Sequence, residues 1–116
     1  MDPEDLVAAY LEEVSNEPEG ERRRAAIQRL FAEGVRYVDQ DGPVDGREAF
    51  IERIHTLATM MRPTSEFSLT KPVKHVDDAV IFHWQLGVPG EDPSLAGMNF
   101  AIVEDGRIVR LYAVLD

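Results

Sequence analysis

The final third of the chain, residues 79–115, decides the fold and reads AVIFHWQLGVPGEDPSLAGMNFAIVEDGRIVRLYAVL. β-Branched and aromatic residues dominate three runs within it, a composition typical of strands. The runs are Ala79–Val88, Ala96–Val103 and Arg107–Leu115, and Glu104-Asp105-Gly106 between the last two is a tight-turn signal. This segment therefore predicts three antiparallel strands, the last two joined by a hairpin turn.

Two more strands are predicted upstream. Glu66–His75 leads through the turn signal Asp77-Asp78 into the first of the three runs. Val35–Asp39 is a short run rich in β-forming residues, and the Asp41-Gly42-Pro43 that follows has the composition of a turn. We expect all five strands to join one antiparallel sheet.

Three helices are predicted in the N-terminal half from apolar periodicity and end signals. The first begins with Asp2 as its N-cap, and the second runs from about Glu21 to Gly34. The third begins at Asp45 in a capping-box pattern and stops at Pro63. The residues predicted to face inward are Leu6, Val7, Tyr10, Leu11 and Val14, then Ala26, Ile27, Leu30 and Phe31, then Phe50, Ile51, Ile54, Leu57, Ala58 and Met61.

The element order is helix, helix, strand, helix and then four strands. In a chain of 116 residues this order predicts one α+β domain, residues 1–116, with the helices packed on the sheet. The third of the four final strands is apolar on both faces, with Met98, Phe100 and Ile102 on one side. Helices cover only one face, so the other needs a partner, and we expect a homodimer formed sheet to sheet.

Composition and charge disfavour several classes of protein. Twenty-two acidic against twelve basic residues give a formal net charge of −10, which repels nucleic-acid backbones. Cysteine is absent, which rules out disulfides and cysteine nucleophiles. No apolar run approaches the ~20 residues of a membrane span, and the first residues, MDPED, are unlike a signal peptide. A soluble, cytoplasmic protein is expected.

Recognised motifs for metals, nucleotides and serine nucleophiles are missing. His55, His75 and His83 lack metal-ligand spacing, and there is no HExxH, GxGxxG, Walker loop or GxSxG. We therefore predict no metal and no cofactor. His55 borders the apolar face of the third helix and is a candidate to reach a cavity, whereas Arg22-Arg23-Arg24 is expected to form solvated ion pairs.

Three polar residues in apolar settings are candidates for chemistry. Asp39 ends a strand before a turn, where it is either a buried carboxylate or a turn cap in water. Asn99 is a lone amide in an apolar strand, either a donor to a carbonyl or oxyanion, or an amide satisfied by backbone. Tyr10 lies on the apolar face of the first helix, where most tyrosines are core residues with the hydroxyl at the rim.

Several short motifs follow one another along nearly the whole chain. They are Ala9-Tyr10-Leu11-Glu12, Tyr37-Val38-Asp39, Asp45-Gly46-Arg47-Glu48-Ala49-Phe50, Leu69-Thr70-Lys71-Pro72-Val73, and Ala96-Gly97-Met98-Asn99 with Glu104-Asp105-Gly106-Arg107-Ile108. In their order and spacing they resemble the NTF2-like (cystatin-like) superfamily and within it the SnoaL-like and ketosteroid-isomerase-like group. The resemblance implies a cone in which a strongly curved sheet wraps around three helices and encloses an apolar pocket, and it implies dimerisation through the outer sheet face.

The resemblance also implies residue roles. Ketosteroid isomerases have a general-base Asp where this chain has Asp39, and an oxyanion hole made by a Tyr and a protonated Asp at the positions of Tyr10 and Asn99. Asn99 keeps a donor but not the acid, and Gln40 replaces the proline that usually follows the base. The implied pocket wall is Phe31, Tyr37, Phe50, Ile54, His55, Phe67, Phe82, Trp84, Leu111 and Leu115.

Three functions remain open at this point. The first is an isomerase or cyclase that abstracts a proton next to the carbonyl of a small, apolar, steroid- or polyketide-like compound. The second is a module that binds such a ligand without chemistry. The third is a protein-interaction module, in which Trp84 and Phe82 fill the cavity and Asp39 is solvated.

Overall fold

The computed structural model describes residues 1–116 and contains three α-helices packed on a curved sheet. The helices are α1 (Pro3–Tyr10), α2 (Gly20–Leu30) and α3 (Arg47–Thr59), and α1 continues directly into a π-helical turn over Leu11–Ser15. The predicted cap of α1 is confirmed, because Asp2 accepts a hydrogen bond from the backbone N–H of Asp5 at 2.8 Å. No helix of the protein combines the length and apolar character needed to cross a membrane.

The sheet has seven strands in the order β2-β1-β7-β6-β5-β3, with β4 also paired to β5. All neighbours are antiparallel except β1 and β7, which are parallel. The sheet is therefore mixed, because the long crossover between β1 and β7 allows a parallel pair that local patterns do not reveal. The strands are β1 (Phe31–Asp39), β2 (Gly42–Asp45), β3 (Glu66–Leu69), β4 (Lys74–Val76), β5 (Ala79–Gly87), β6 (Leu95–Glu104) and β7 (Arg107–Leu115).

The three C-terminal strands agree with the prediction to within a residue at each end. The turn between β6 and β7 is also confirmed, since Asp105 and Gly106 have φ values of 53° and 78°, as a primed hairpin turn requires. Phe82 and Trp84 of β5 are buried beneath the helices, and Phe100 of β6 faces the opposite side of the sheet and is half-buried.

Helix α2 ends at Leu30, so the predicted end at Gly34 is wrong. Phe31 already has an extended backbone, with φ −117° and ψ 143°, and it pairs with Ile108 of β7. Arg47 donates a hydrogen bond to the backbone carbonyl of Phe31 at 3.2 Å, which satisfies a group at the end of the helix. Pairing with a strand far away in the sequence sets this boundary, and it makes Phe31 a strand residue.

The predicted start of the third helix is also wrong. Gly46, with φ 95°, occupies the N-cap position and Asp45 makes no cap. Asp45 instead lies in β2, where it forms an ion pair with Arg36 of β1 at 3.1 Å. Gly42-Pro43 belongs to β2 as well, so the turn falls on Gln40-Asp41.

The single predicted strand Glu66–His75 is divided into β3 and β4, both paired with β5. Thr70–Val73 separates them. Pro72 in this gap has no backbone N–H and is unable to continue the ladder.

Candidate functional site

A cavity of about 560 Å³ opens between the concave face of the sheet and the helices. Sixteen of its 25 lining residues are hydrophobic, and an apolar wall with a few polar groups is typical of a small-molecule site. Tyr10 from α1, Asp39 from β1 and Asn99 from β6 all line it. The three candidate catalytic residues thus reach one cavity from separate elements.

Asp39 is held at one of its two carboxylate oxygens. Its side chain is only 11% exposed. Oδ1 accepts hydrogen bonds from Nη1 of Arg53 at 2.7 Å and from the backbone N–H of Asp41 at 2.9 Å. Oδ2 takes part in neither bond. Asp39 therefore caps the turn, which is one of the two roles predicted for it. Its side chain is mostly buried, however, and forms an ion pair with Arg53 that the sequence does not reveal.

Tyr10 and Tyr37 bring two phenols to this cavity. Burial raises the pKa of Tyr10 to about 12, although the nearby Ser15 hydroxyl lowers it. Burial likewise raises the pKa of Tyr37, and the charges of Tyr10 and Asp39 raise it further. Both phenols are protonated at neutral pH. Tyr37 donates its single O–H towards Asp39, and Tyr10 is able to donate to an oxygen of a bound molecule.

Asn99 is oriented by Trp84. The amide is 4% exposed, and its Oδ1 accepts a hydrogen bond from Nε1 of Trp84 at 2.8 Å. The indole N–H of Trp84, and not the neighbouring backbone, therefore satisfies the amide oxygen of Asn99. No buried side-chain nitrogen or oxygen lacks a partner, and Nδ2 makes no hydrogen bond to the protein, so Nδ2 has access to the cavity as a donor.

Arg23 is a buried side chain close to this site and is 4% exposed, so the prediction that it is solvated is wrong. Its Nη1 donates to the backbone carbonyl of Glu17 at 2.7 Å, and its Nη2 contacts Nδ1 of His55 at 3.0 Å. Because a guanidinium only donates, Nδ1 of His55 is the acceptor and the ring proton lies on Nε2.

Arg23 could have been found from helical periodicity. Arg23 shares a helix face with Ala26, Ile27 and Leu30, which follow it at the i+3, i+4 and i+7 positions, and all three are buried. Its neighbours Arg22 and Arg24 do form the predicted exposed ion pairs, with Glu17 at 3.9 Å and Glu48 at 2.8 Å.

Six of the predicted wall residues line the cavity: Tyr37, Ile54, Phe67, Phe82, Trp84 and Leu115. Phe31, Phe50 and Leu111 do not, because each is 0% exposed and belongs to the core. The rings of Phe31 and Phe50 pack with centroids 4.6 Å apart. His55 does not line the cavity either, since it follows the cavity residue Ile54 on the helix and is turned about 100° away from it.

The cavity is also lined by residues that the sequence analysis did not assign. They lie after the end of α3 and around the start of β6. Two of them are apolar and exposed, Met60 at 74% and Leu95 at 47%. Phe67 is fixed in the wall by Asn16, whose amide exchanges two hydrogen bonds with the Phe67 backbone, at 2.9 and 2.7 Å.

A second open space lies beside α2 and α3 as a groove of about 690 Å³. Only three of its 11 lining residues are hydrophobic, and His55, Arg24 and Arg53 line it. Arg23 lines both the groove and the cavity. Nowhere in the protein do three or more histidine or acidic side chains gather in an arrangement that fits a metal ion.

Three helices within a curved mixed sheet, enclosing an apolar cavity, define an NTF2-like α+β cone. The SnoaL-like domain matches residues 6–111, and the chain therefore belongs to the SnoaL-like family.

Solved structures show the same fold. A candidate isomerase of the SnoaL-like family from Agrobacterium tumefaciens is 26% identical, with a TM-score of 0.88 over 100% of this chain and 99% of its own. A candidate SnoaL-like polyketide cyclase from Jannaschia sp. is 18% identical, with a TM-score of 0.76 over 98% and 85% of the two chains. A candidate ketosteroid isomerase from Kribbella flavida is 20% identical, with a TM-score of 0.72 over 98% and 77%. No curated protein is significantly similar in sequence.

Proposed function

We propose that this protein is an isomerase or cyclase that moves a proton next to the carbonyl group of a small, apolar, steroid- or polyketide-like compound. The observation that carries the proposal is that a carboxylate, a phenol and an amide, from Asp39, Tyr10 and Asn99, line the same apolar cavity. The likeness to a candidate isomerase of the SnoaL-like family at 26% identity supports the class of reaction.

The chemistry assigns one role to each side chain. Asp39 takes the proton from the carbon beside the carbonyl, and the C–H electron pair moves to form an enolate. The phenol of Tyr10 and Nδ2 of Asn99 donate hydrogen bonds to the enolate oxygen. Asp39 then returns the proton to another carbon of the same molecule. In a cyclisation, the enolate carbon instead attacks a second carbonyl carbon of the same molecule, the electron pair of that C=O bond moves to its oxygen, and this oxygen takes the proton from Asp39. Neither step needs a cofactor.

The test is solvent exchange next to a carbonyl. The protein is incubated in deuterated water with 2-tetralone, and deuterium entering the carbon beside the carbonyl is followed by NMR. We expect Asp39→Asn to slow exchange by about 10²- to 10⁴-fold, the usual contribution of a positioned base. Asp45→Asn removes an exposed carboxylate of β2 and should leave the rate unchanged. An equal rate in wild type and Asp39→Asn would reject the assignment of the base.

A second function, binding without chemistry, is favoured by the ion pair of Asp39. Arg53 and the backbone N–H of Asp41 both bind Oδ1 of Asp39, at 2.7 and 2.9 Å, so this carboxylate already has a structural role that needs no chemistry. In this case a ligand would bind equally well to wild type and to Asp39→Asn. Trp84 is the only tryptophan of the chain and lines the cavity, so its fluorescence reports binding in both proteins.

We also propose a homodimer through the outer face of the sheet. Phe100 and Tyr112 pair across β6 and β7 with ring centroids 6.2 Å apart on this face. Met98 and Ile102 of β6 flank Phe100 and are half-buried, and Val114 of β7 is 53% exposed. A contiguous apolar patch of this kind is typical of an interface.

A further inference from the structure

Arg23 is a buried cation without an acidic partner. It is 4% exposed, and none of the ion pairs in the protein includes it. A buried charge without a counter-charge is unfavourable, so its presence at a cavity needs a reason.

The hydrogen bonds of Arg23 leave much of its guanidinium unused. Only the Glu17 carbonyl and Nδ1 of His55 contact it, both of them neutral acceptors. A guanidinium has five N–H donors, so more than half have no partner within the protein. Nε makes no hydrogen bond, yet no buried side-chain nitrogen is unsatisfied, so Nε reaches open space. The large open spaces that Arg23 lines are the cavity and the groove.

We propose that Arg23 binds a carboxylate group of the molecule that occupies the cavity, so the natural ligand is an apolar carboxylic acid. This inference rests on the proposed function, because it requires the cavity to hold a small molecule. The planar fork of an arginine matches the two oxygens of a carboxylate. A doubly charged phosphate fits less well, because 16 of the 25 lining residues are hydrophobic and leave few groups to solvate it.

The net charge of the chain strengthens the argument. At −10 the protein repels organic acids in general, so a ligand that carries a carboxylate needs a local cation. Arg24, Arg29, Arg36 and Arg53 are all paired with carboxylates of the protein. Arg62 also lines the cavity, but it is exposed and pairs with Glu91 at 3.3 Å. Arg23 is therefore the buried cation at the cavity with donors left for a ligand.

The test compares two probes of the same shape, adamantane-1-carboxylate and adamantane-1-carboxamide. Binding at neutral pH is followed by the fluorescence of Trp84, which lines the cavity and not the groove. Charge-assisted hydrogen bonds are stronger than neutral ones, so we expect wild type to bind the carboxylate about tenfold or more tightly than the amide. Arg23→Gln should lose this preference and keep its affinity for the amide.

The matched control is Arg22→Gln, which removes the same charge from an adjacent side chain that is 76% exposed and should retain the preference. Equal binding of the two probes to wild type would overturn the role of Arg23 and leave the ligand cavity standing. If Arg23→Gln still prefers the carboxylate probe, the role of Arg23 is likewise overturned and the ligand cavity still stands. Failure of both probes to change Trp84 fluorescence would count against the cavity function itself. If Arg23→Gln does not fold, the wild-type comparison alone still decides.

Discussion

The stability of the fold depends on the ionisation of the buried phenol of Tyr10. Its pKa is about 12 in the folded protein and 10.0 for an ordinary tyrosine, so the unfolded state loses the proton first. The stabilising contribution is fully present below pH 10 and is lost as the pH rises to about 12. A shift of this size corresponds to on the order of 3 kcal/mol, and Tyr37 contributes in the same direction.

We therefore expect Tyr10→Phe to flatten the loss of stability between pH 10 and 12 relative to wild type. The measurement is urea unfolding followed by far-ultraviolet circular dichroism at several alkaline pH values. Tyr112→Phe is the matched control, because Tyr112 lies on the outer sheet face away from the cavity and should leave the steep loss unchanged. An identical pH profile for Tyr10→Phe and wild type would contradict the burial argument.

Single residues that stand out from their surroundings were predictable, but their partners were not. Asp39 and Asn99 are polar residues among apolar ones, a local contrast that the sequence displays, and both line the cavity. Arg53 and Trp84, which hold them, lie 14 and 15 residues away along the chain. Those contacts depend on how a helix and a strand return to the site. The catalytic roles themselves stay predictions until Asp39→Asn is tested.

At the scale of the elements, the start of β6 packs so closely that only glycine fits at one position. A Cβ on Gly97 would lie 2.5 Å from the backbone oxygen of Val114 and 2.7 Å from Cζ2 of Trp84. Both distances are shorter than van der Waals contact, and Val114 O belongs to the rigid backbone of β7. The same Trp84 orients Asn99, so Gly97 is coupled to the site.

We expect Gly97→Ala to destabilise the protein by about 1–3 kcal/mol, the usual effect of overpacking, and to weaken ligand binding in the cavity. Gly34→Ala in β1 is the control, because no atom lies within 4 Å of its added Cβ. It should be neutral or slightly stabilising. The free energy of unfolding in urea separates the two variants, and equal values would show that β6 and β7 move apart at little energetic cost.

Element types were more predictable than element ends. The composition of β5, β6 and β7 is local and predicted all three strands, and the alternation in β6 also predicted the two faces of that strand. The predicted helix ends that were wrong are set by contacts with residues of other strands. Phe31 leaves the helix to pair with Ile108, and Asp45 joins β2 to meet Arg36. A local capping pattern or a single glycine does not indicate a partner on another strand.

In the whole molecule, the two proposed functions fall on opposite faces of the sheet. The concave face carries the cavity residues Trp84 and Asn99, while the outer face carries Phe100 and Tyr112. Because successive residues of a strand alternate between the faces, the outer face can be changed without changing the cavity. The proposed dimer and the proposed ligand site are therefore separable by mutation.

We expect the protein to be a dimer in solution and Phe100→Glu to convert it to a monomer, because a charge would be buried at the centre of the outer apolar patch. Leu69→Glu adds the same charge at an exposed apolar residue of β3 and should leave the dimer intact. Each chain carries a net charge of −10, so the two copies repel and added salt should tighten the dimer by screening. Sedimentation velocity over a range of concentrations and salt measures both effects. A wild-type protein that sediments as a monomer throughout would show that the patch serves another purpose.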